Sequence, residues 1–226
     1  MIRYIYKAIK YVLKKVFKPI WFIFFFLKYK IKNRHNLTIP KYPPSSIDFF
    51  DIKCVHVWRY TYWILDIHMR WRPWESLIIW DYCSIAYDVT FILWGNHYYK
   101  SLLTYPLWIH NHILWAEEKE AYSNWKIEIG DDVRIWTWAK IMSWVTIGQW
   151  AIIAAYSVVT KSVPPYAIVW WVPAKVIKYR FSEDIIEKLI KINYKKIPIA
   201  KLLNIYEEIS KEGFDVDKVC DLLKLK

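Results

Sequence analysis

From Ile129 to Pro164 the sequence repeats every six residues, in the hexads IGDDVR, IWTWAK, IMSWVT, IGQWAI, IAAYSV and VTKSVP. The first position is Ile129, Ile135, Ile141, Ile147, Ile153 and Val159. The fifth is Val133, Ala139, Val145, Ala151, Ser157 and Val163. A helix repeats its apolar face about every 3.6 residues and a strand about every 2, so neither accounts for this period. A parallel β-helix does: each hexad forms one short side of a coil, and stacked coils bury a ladder of aliphatic residues. The first position then supplies a large inward side chain and the fifth a small one near the corner. The same frame recurs at Val57 with Thr61, Ile79 with Cys83, and Ile85 with Val89.

Five further segments accompany the hexads: Ile79–Ala86 (IWDYCSIA), Leu93–His97 (LWGNH), Thr104–Pro106 (TYP), Val158–Tyr166 (VVTKSVPPY) and Val172–Phe181 (VPAKVIKYRF). As an ordered set the chain resembles the hexapeptide-repeat acyltransferases. Within them it is similar to the O-acetyltransferase branch that contains xenobiotic and surface-polysaccharide acetyltransferases. The resemblance implies a left-handed parallel β-helix of triangular cross-section in a mainly β protein. The expected domains are a basic arm over 1–39, a linker over 40–54, the β-helix over 55–181 and a helical region over 182–226. The hexad frame lapses between Gly95 and Trp125, as an inserted loop requires, and such excursions are often functional.

Tryptophan departs from the family pattern. Average usage gives about 16 Gly in a chain of this length, whereas this one has 4 Gly and 16 Trp. Trp58, Trp80 and Trp136 take second positions of hexads, and Trp138, Trp144 and Trp150 take fourth positions. Trp94, Trp170 and Trp171 also stand where the family has Gly. Tight corners often need φ > 0, which glycine adopts freely, and a ring at a second position would crowd its stacked neighbour. One reading is a Trp-rich variant whose corners project rings outward. The other, which we favour, is that the source translates this codon as Gly. Tyr156 shares the fourth phase and is outside the codon argument. At Trp21, Trp108 and Trp115 the motif is too loose to assign.

Charge is unevenly placed. Residues 1–47 hold 11 Lys or Arg and no acid, leaving 33 − 11 = 22 basic against 21 acidic residues in the remainder. No basic stripe crosses the body, which argues against nucleic-acid binding. In the arm Ile2, Ile5, Ile9, Val12 and Val16 recur at helical spacing, with Lys7, Lys10, Lys14, Lys15 and Lys18 largely off that stripe. Pro19 precedes an apolar run, Ile20 to Leu27, of eight residues. A spanning helix needs about 20. The expectation is peripheral attachment to an anionic membrane surface on the cytoplasmic side; the alternative is an arm packed on its own trimer. A linker with Pro40, Pro43 and Pro44 follows.

The tail is expected to be helical from Ser182, as N-cap, with further helices over about Ala200–Lys211 and from near Asp215. These helices would cap the open end of the coil or brace neighbouring subunits. Cys54, Cys83 and Cys220 show no metal spacing, and an odd number, in a chain whose charged start lacks a small-residue cleavage site, reads as reduced thiols on the cytosolic face.

Acetyl transfer from a thioester to a hydroxyl needs a base for the hydroxyl proton and donors for the developing oxyanion. The resemblance assigns the base to His97, in the family's Gly-Asn-His context, acting directly and across a subunit interface. Asn96 and Tyr105 are implied for loop geometry and acceptor contact. The resemblance also implies a homotrimer that binds acetyl-CoA between subunits. Thr137 and Ala155 would line the pantetheine, Thr160 and Lys161 would meet the nucleotide, and Lys175 and Lys178 would face its phosphates. No metal is expected. The acceptor expected from the resemblance and the basic arm is a sugar hydroxyl of a surface polysaccharide or its precursor, with an antibiotic as alternative. Two other classes stay open: a zinc hydratase using His110 and His112, and a non-catalytic trimeric scaffold.

Overall fold

The computed structural model describes residues 23–40, 52–69, 74–97, 100, 102–105, 121–122 and 125–223. The cationic helix expected before residue 23, most of the linker, and His110 and His112 lie outside them.

The chain winds as a left-handed parallel β-helix with three faces. Face I stacks β2 (Val55–Val57), β4 (Leu77–Ile79), β9 (Ile127–Ile129) and β12 (Thr146–Ile147). Face II stacks the start of β3 (Tyr62–His68) with β5 (Ser84–Ile85), β10 (Arg134–Ile135), β13 (Ile152–Ile153) and β15 (Ala167–Trp170). Face III stacks the end of β3 with β6 (Thr90–Ile92), β11 (Lys140–Met142) and β14 (Val158–Val159). Register follows the repeat: Ile129 pairs with Ile147, Ile135 with Ile153 and Ile141 with Val159, each three hexads on.

Every first-position residue from Ile129 to Val159 and every fifth-position residue from Val133 to Val163 is buried. Upstream, Val57, Ile79, Ile85, Thr61, Cys83 and Val89 are buried in the same two roles. Fourth positions turn the corners with left-handed backbone: Tyr60 (φ 60°), Tyr82 (61°), Asp88 (53°), Asp132 (50°), Trp138 (66°), Trp144 (65°), Trp150 (58°) and Tyr156 (61°). The period of six is therefore a strand pair, a left-handed corner and a second inward residue. At second positions the outcome is mixed. Added Cβ atoms on Gly130 and Gly148 would meet backbone nitrogens of Gln149 at 2.6 Å and Pro165 at 2.4 Å. Trp58 and Trp80 avoid the expected clash by stacking outward, with ring centroids 5.2 Å apart.

The first coil is not the start of the ordered body. A helix over residues 23–32 and β1 (Leu37–Pro40) pack on it, with Leu37 to Pro40 paired in parallel to Tyr62 to Leu65. Phe25 and Tyr29 belong to the main core. The 39/40 boundary between arm and linker thus falls inside a coil-bound strand, because Thr38 and Asn36 are buried and hydrogen-bonded there.

The tail helices are Glu183–Leu189, Ile199–Asn204, Tyr206–Ile209 and Val216–Leu223. The single helix expected over about Ala200–Lys211 is broken at Ile205, whose φ of −106° ends one helix and starts the next. Ser182 takes the N-cap position without a side-chain cap bond. Asp215 does cap its helix, accepting from Lys218 N–H at 3.0 Å. Rather than closing the open end, this region covers the corner between faces I and II. Tyr194 packs edge-on against Trp150, Lys195 Nζ sits 3.1 Å from the Trp80 ring centroid, and Arg59 donates to the Lys195 carbonyl. At the corners between faces II and III, and between III and I, Trp138, Tyr156 and Trp144 are exposed. β16 (Lys175–Tyr179) folds back antiparallel on β15.

Candidate active site

The loop carrying His97 leaves face III at its corner with face I. Gly95, at φ 107°, makes the exit, a conformation open to glycine and strained for other residues. Asn96 and His97 form β7, paired antiparallel with β8 (Ala121–Tyr122), so this hairpin fixes the base of the inserted loop. Asn96 Nδ2 donates to Ser143 Oγ at 3.1 Å. Ser143 is the third residue of its hexad and is buried at the III/I corner of the following coil. His97 is exposed beside this anchor. Tyr105 is exposed farther along the loop, and Pro106 lies outside the described residues.

Thr160 and Lys161 sit on the same corner one coil beyond, Lys161 stacking in phase with Ser143. Both are exposed. The VPAK turn reaches this strand: Ala174 N–H donates to the Val158 carbonyl at 2.9 Å, two residues before Thr160. Lys175 and Lys178 are exposed on β16, opposite Trp170 and Ile168 of β15.

Thr137 and Ala155 occupy the other edge of face III, at its corner with face II. Both are third-position residues, and Tyr156 N–H donates to the Thr137 carbonyl at 3.0 Å, so the two stack directly. Their side chains are half-buried. Trp138 and Tyr156 meet edge-to-face beside them at 5.1 Å.

The structure thus brings Asn96, His97, Ser143, Thr160 and Lys161 together on one edge of face III. It places Thr137 and Ala155 together on the opposite edge. Within one chain the histidine and the small-residue corner are separated by the width of a face.

Two residues at this edge had not been singled out. Ser143 was readable in principle, since a third-position residue one coil from Lys161 shares its corner. His68 was not readable, because β3 runs straight through where a hexad break would mark the frame. It pairs with Ile92 in register, accepts from Leu93 N–H through its carbonyl at 2.8 Å, and contacts Asp66 Oδ1 through Nε2 at 3.3 Å. A second histidine therefore lies beneath the loop exit. Cys83 is fully buried, and burial pushes its thiol up, which makes it a core residue and not a nucleophile. Among the described residues no cluster of three or more His, Cys, Asp or Glu could hold a metal.

Comparison with known proteins agrees with this architecture. The family model described as bacterial transferase hexapeptide (six repeats) matches residues 126–161. A chloramphenicol acetyltransferase of Morganella morganii is 35% identical over 138 residues, covering 57% of this chain and 63% of that protein. The chain therefore spans somewhat under two thirds of that relative's length. A protein of Lysinibacillus sphaericus named probable macrolide acetyltransferase is 42% identical over 125 residues, covering 53% of this chain and 69% of its own. Among solved structures, a Vibrio cholerae hexapeptide-repeat acetyltransferase complexed with acetyl coenzyme A aligns at 19% identity and TM-score 0.48, covering 68% and 75% of the two chains. A coiled core built on hexads, with its loop excursion at a Gly-Asn-His corner, and relatives that share that core make this chain a member of the hexapeptide-repeat acetyltransferase family.

Proposed function

We propose that the protein transfers an acetyl group from acetyl-CoA to a hydroxyl, with His97 as general base. The observation that carries this reading is the placement of His97 on a loop hairpin anchored to the III/I corner through Asn96 and Ser143. The family membership supports it, since the relatives are named as acetyltransferases. An imidazole, with an unperturbed pKa of about 6.5, suits proton transfer near neutral pH. It would take the acceptor's hydroxyl proton as that oxygen bonds to the acetyl carbon. The carbon–sulfur bond breaks, and the imidazolium returns the proton to the departing thiolate. No acyl-enzyme is needed, and the buried Cys83 fits that economy.

Thr137 and Ala155 suit the thin pantetheine chain, because small stacked side chains would leave a shallow groove along the II/III corner. Lys161, Lys175 and Lys178 are exposed cations suited to its phosphates. A histidine on one edge of face III and this groove on the other would be completed by neighbouring copies, which favours a homotrimer with sites between subunits.

For the acceptor we favour a sugar hydroxyl of a surface polysaccharide or its lipid-linked precursor, because the basic arm suits a cytoplasmic-side membrane location. A xenobiotic acceptor is the second reading, favoured by the names of the chloramphenicol and macrolide relatives. Measuring thiol release from acetyl-CoA with purified protein against sugar and antibiotic acceptors tests both. Turnover with neither class and no acetyl-CoA binding would leave a scaffold. Bound zinc with hydration activity would leave the hydratase.

A further inference from the structure

The helix over residues 23–32 has two faces of different fate. Inward, Phe25 and Tyr29 join the core, and Tyr29 Oη bonds Thr38 Oγ1 at 2.6 Å. At the free edge of face I, Lys32 Nζ donates to the Val55 carbonyl at 3.0 Å and Asn36 Nδ2 to the Val57 carbonyl at 2.9 Å. These donors satisfy carbonyls that a further strand would otherwise take. The helix is thereby fixed as a lid on the N-terminal end of the coil.

Outward, the same helix is greasy. Ile23 (58% exposed), Leu27 (53%) and Ile31 (75%) recur at i, i+4 and i+8, with Phe24 (66%) alongside. A helix held by its other face loses no core contact by showing these residues, yet it gains nothing by showing them to water. Lys28 and Arg34 are exposed within the same segment. The 22 residues before it contain Arg3, Lys7, Lys10, Lys14, Lys15 and Lys18 and no acid.

We infer that this outward face is the docking surface for an anionic lipid bilayer, with the coil standing on its N-terminal end. Charge complementarity decides the occupant. A second copy would bring the same excess of cations over acids against these, whereas acidic headgroups neutralise them while the four apolar side chains enter the acyl boundary. Both edges of face III run along the coil axis, so this posture leaves the His97 corner open at the side. The inference deepens the membrane part of the proposed function and does not depend on acetyl transfer.

The test is co-sedimentation of the full chain with phosphatidylglycerol–phosphatidylcholine vesicles and with phosphatidylcholine alone. Wild type is expected to bind the anionic vesicles and to be released by salt, because headgroup attraction is screened over about 8–10 Å. The L27E/I31E pair is expected to bind at least about a hundredfold more weakly, the worth of removing two buried aliphatic side chains. Both side chains are exposed, so the unfolding temperature should hold; the L27S/I31S pair serves if it does not. Unchanged binding by the variants, absence of wild-type binding, or a changed oligomeric state in the variants without a change in binding would each overturn the inference. Turnover on a soluble acceptor, measured on the same variants, reports separately on the catalytic reading.

Discussion

Asn96 donates its side-chain amide to the Ser143 hydroxyl across 3.1 Å, and this bond joins the strand that carries His97 to the coil that follows. The two residues are 47 apart in sequence, so the bond spans the whole inserted loop. It couples the geometry of a loop to the rigid core, as a scaffold must to hold the proposed base, His97, in place.

Replacing His97 by Ala should lower turnover by about 10²–10⁴, the usual range for general acid–base help, with acetyl-CoA binding retained. Ser143→Ala should cost less, roughly tenfold in kcat with KM for acetyl-CoA little changed, because it loosens the base without removing it. His68→Ala is the control at the same corner. If it abolishes turnover and His97→Ala does not, the proton goes to the other histidine.

A buried carboxylate holds the tail to the coil. Asp81 is 2% exposed and accepts from the Arg59 backbone N–H at 2.9 Å and from its guanidinium Nε at 3.1 Å. Arg59 then donates to the Tyr194 and Lys195 carbonyls. Arg59→Met should destabilise by about 3–5 kcal/mol, since it strands a buried charge, and lower Tm by roughly 10 °C. The double variant R59M/D81N should lose less than the sum of the two singles. Additive losses in the thermal unfolding cycle would show that the two side chains act independently.

The inward ladder was legible because the constraint was periodic. One position in six must be large and one small, and no other architecture reuses that pattern. At the third positions the family pattern pointed to Thr137 and Ala155, whereas Ser143 could be read only from its shared phase with Lys161. The packing of residues 23–40 on the first coil was not legible, for a physical reason. Phe25 and Tyr29 lie within or beside a run that reads as membrane-seeking from composition, while their burial depends on a long-range fit into the core of the coil that hydropathy does not encode. The broken helix at Ile205 escaped for a similar reason, since Ile197, Leu202, Ile205 and Ile209 follow one cluster whose packing bends the chain.

Filling the II/III corner should discriminate cofactor binding from fold. Ala155→Leu adds bulk at a half-buried position stacked on Thr137. It should raise KM for acetyl-CoA roughly tenfold, about 1.4 kcal/mol of binding, with Tm nearly unchanged. An unaltered KM would place the pantetheine elsewhere.

The tryptophans make the strongest claim about the molecule itself. Trp138 and Trp144 turn corners at φ 66° and 65°, and Trp171, Trp63 and Trp125 sit at 90°, 97° and 88°, close to Gly95 at 107°. That last region costs an L residue about 1–3 kcal/mol each, and several such sites rival the roughly 5–15 kcal/mol that holds a domain together. Protein isolated from its source is expected to carry Gly at 138, 144, 150 and 171 on this backbone argument and at 58, 80, 94, 136 and 170 on motif position alone, and the backbone adds 63 and 125. Peptide mass spectrometry reads each position directly. Position 150 is the most demanding. Its backbone favours glycine at φ 58°, yet the Trp150 ring is 5% exposed, stacked on Tyr166 at 4.8 Å and edge-on to Tyr194 at 4.5 Å. If Gly is native there, Trp150→Gly in recombinant protein should raise Tm along with Trp138→Gly and Trp144→Gly, as the tail helices settle closer to the coil. If Trp is native, the same change empties a packed site and should cost about 3–5 kcal/mol. Native peptides with Trp at these positions would end the codon reading, and the rings at the corners would then be part of the protein's own surface.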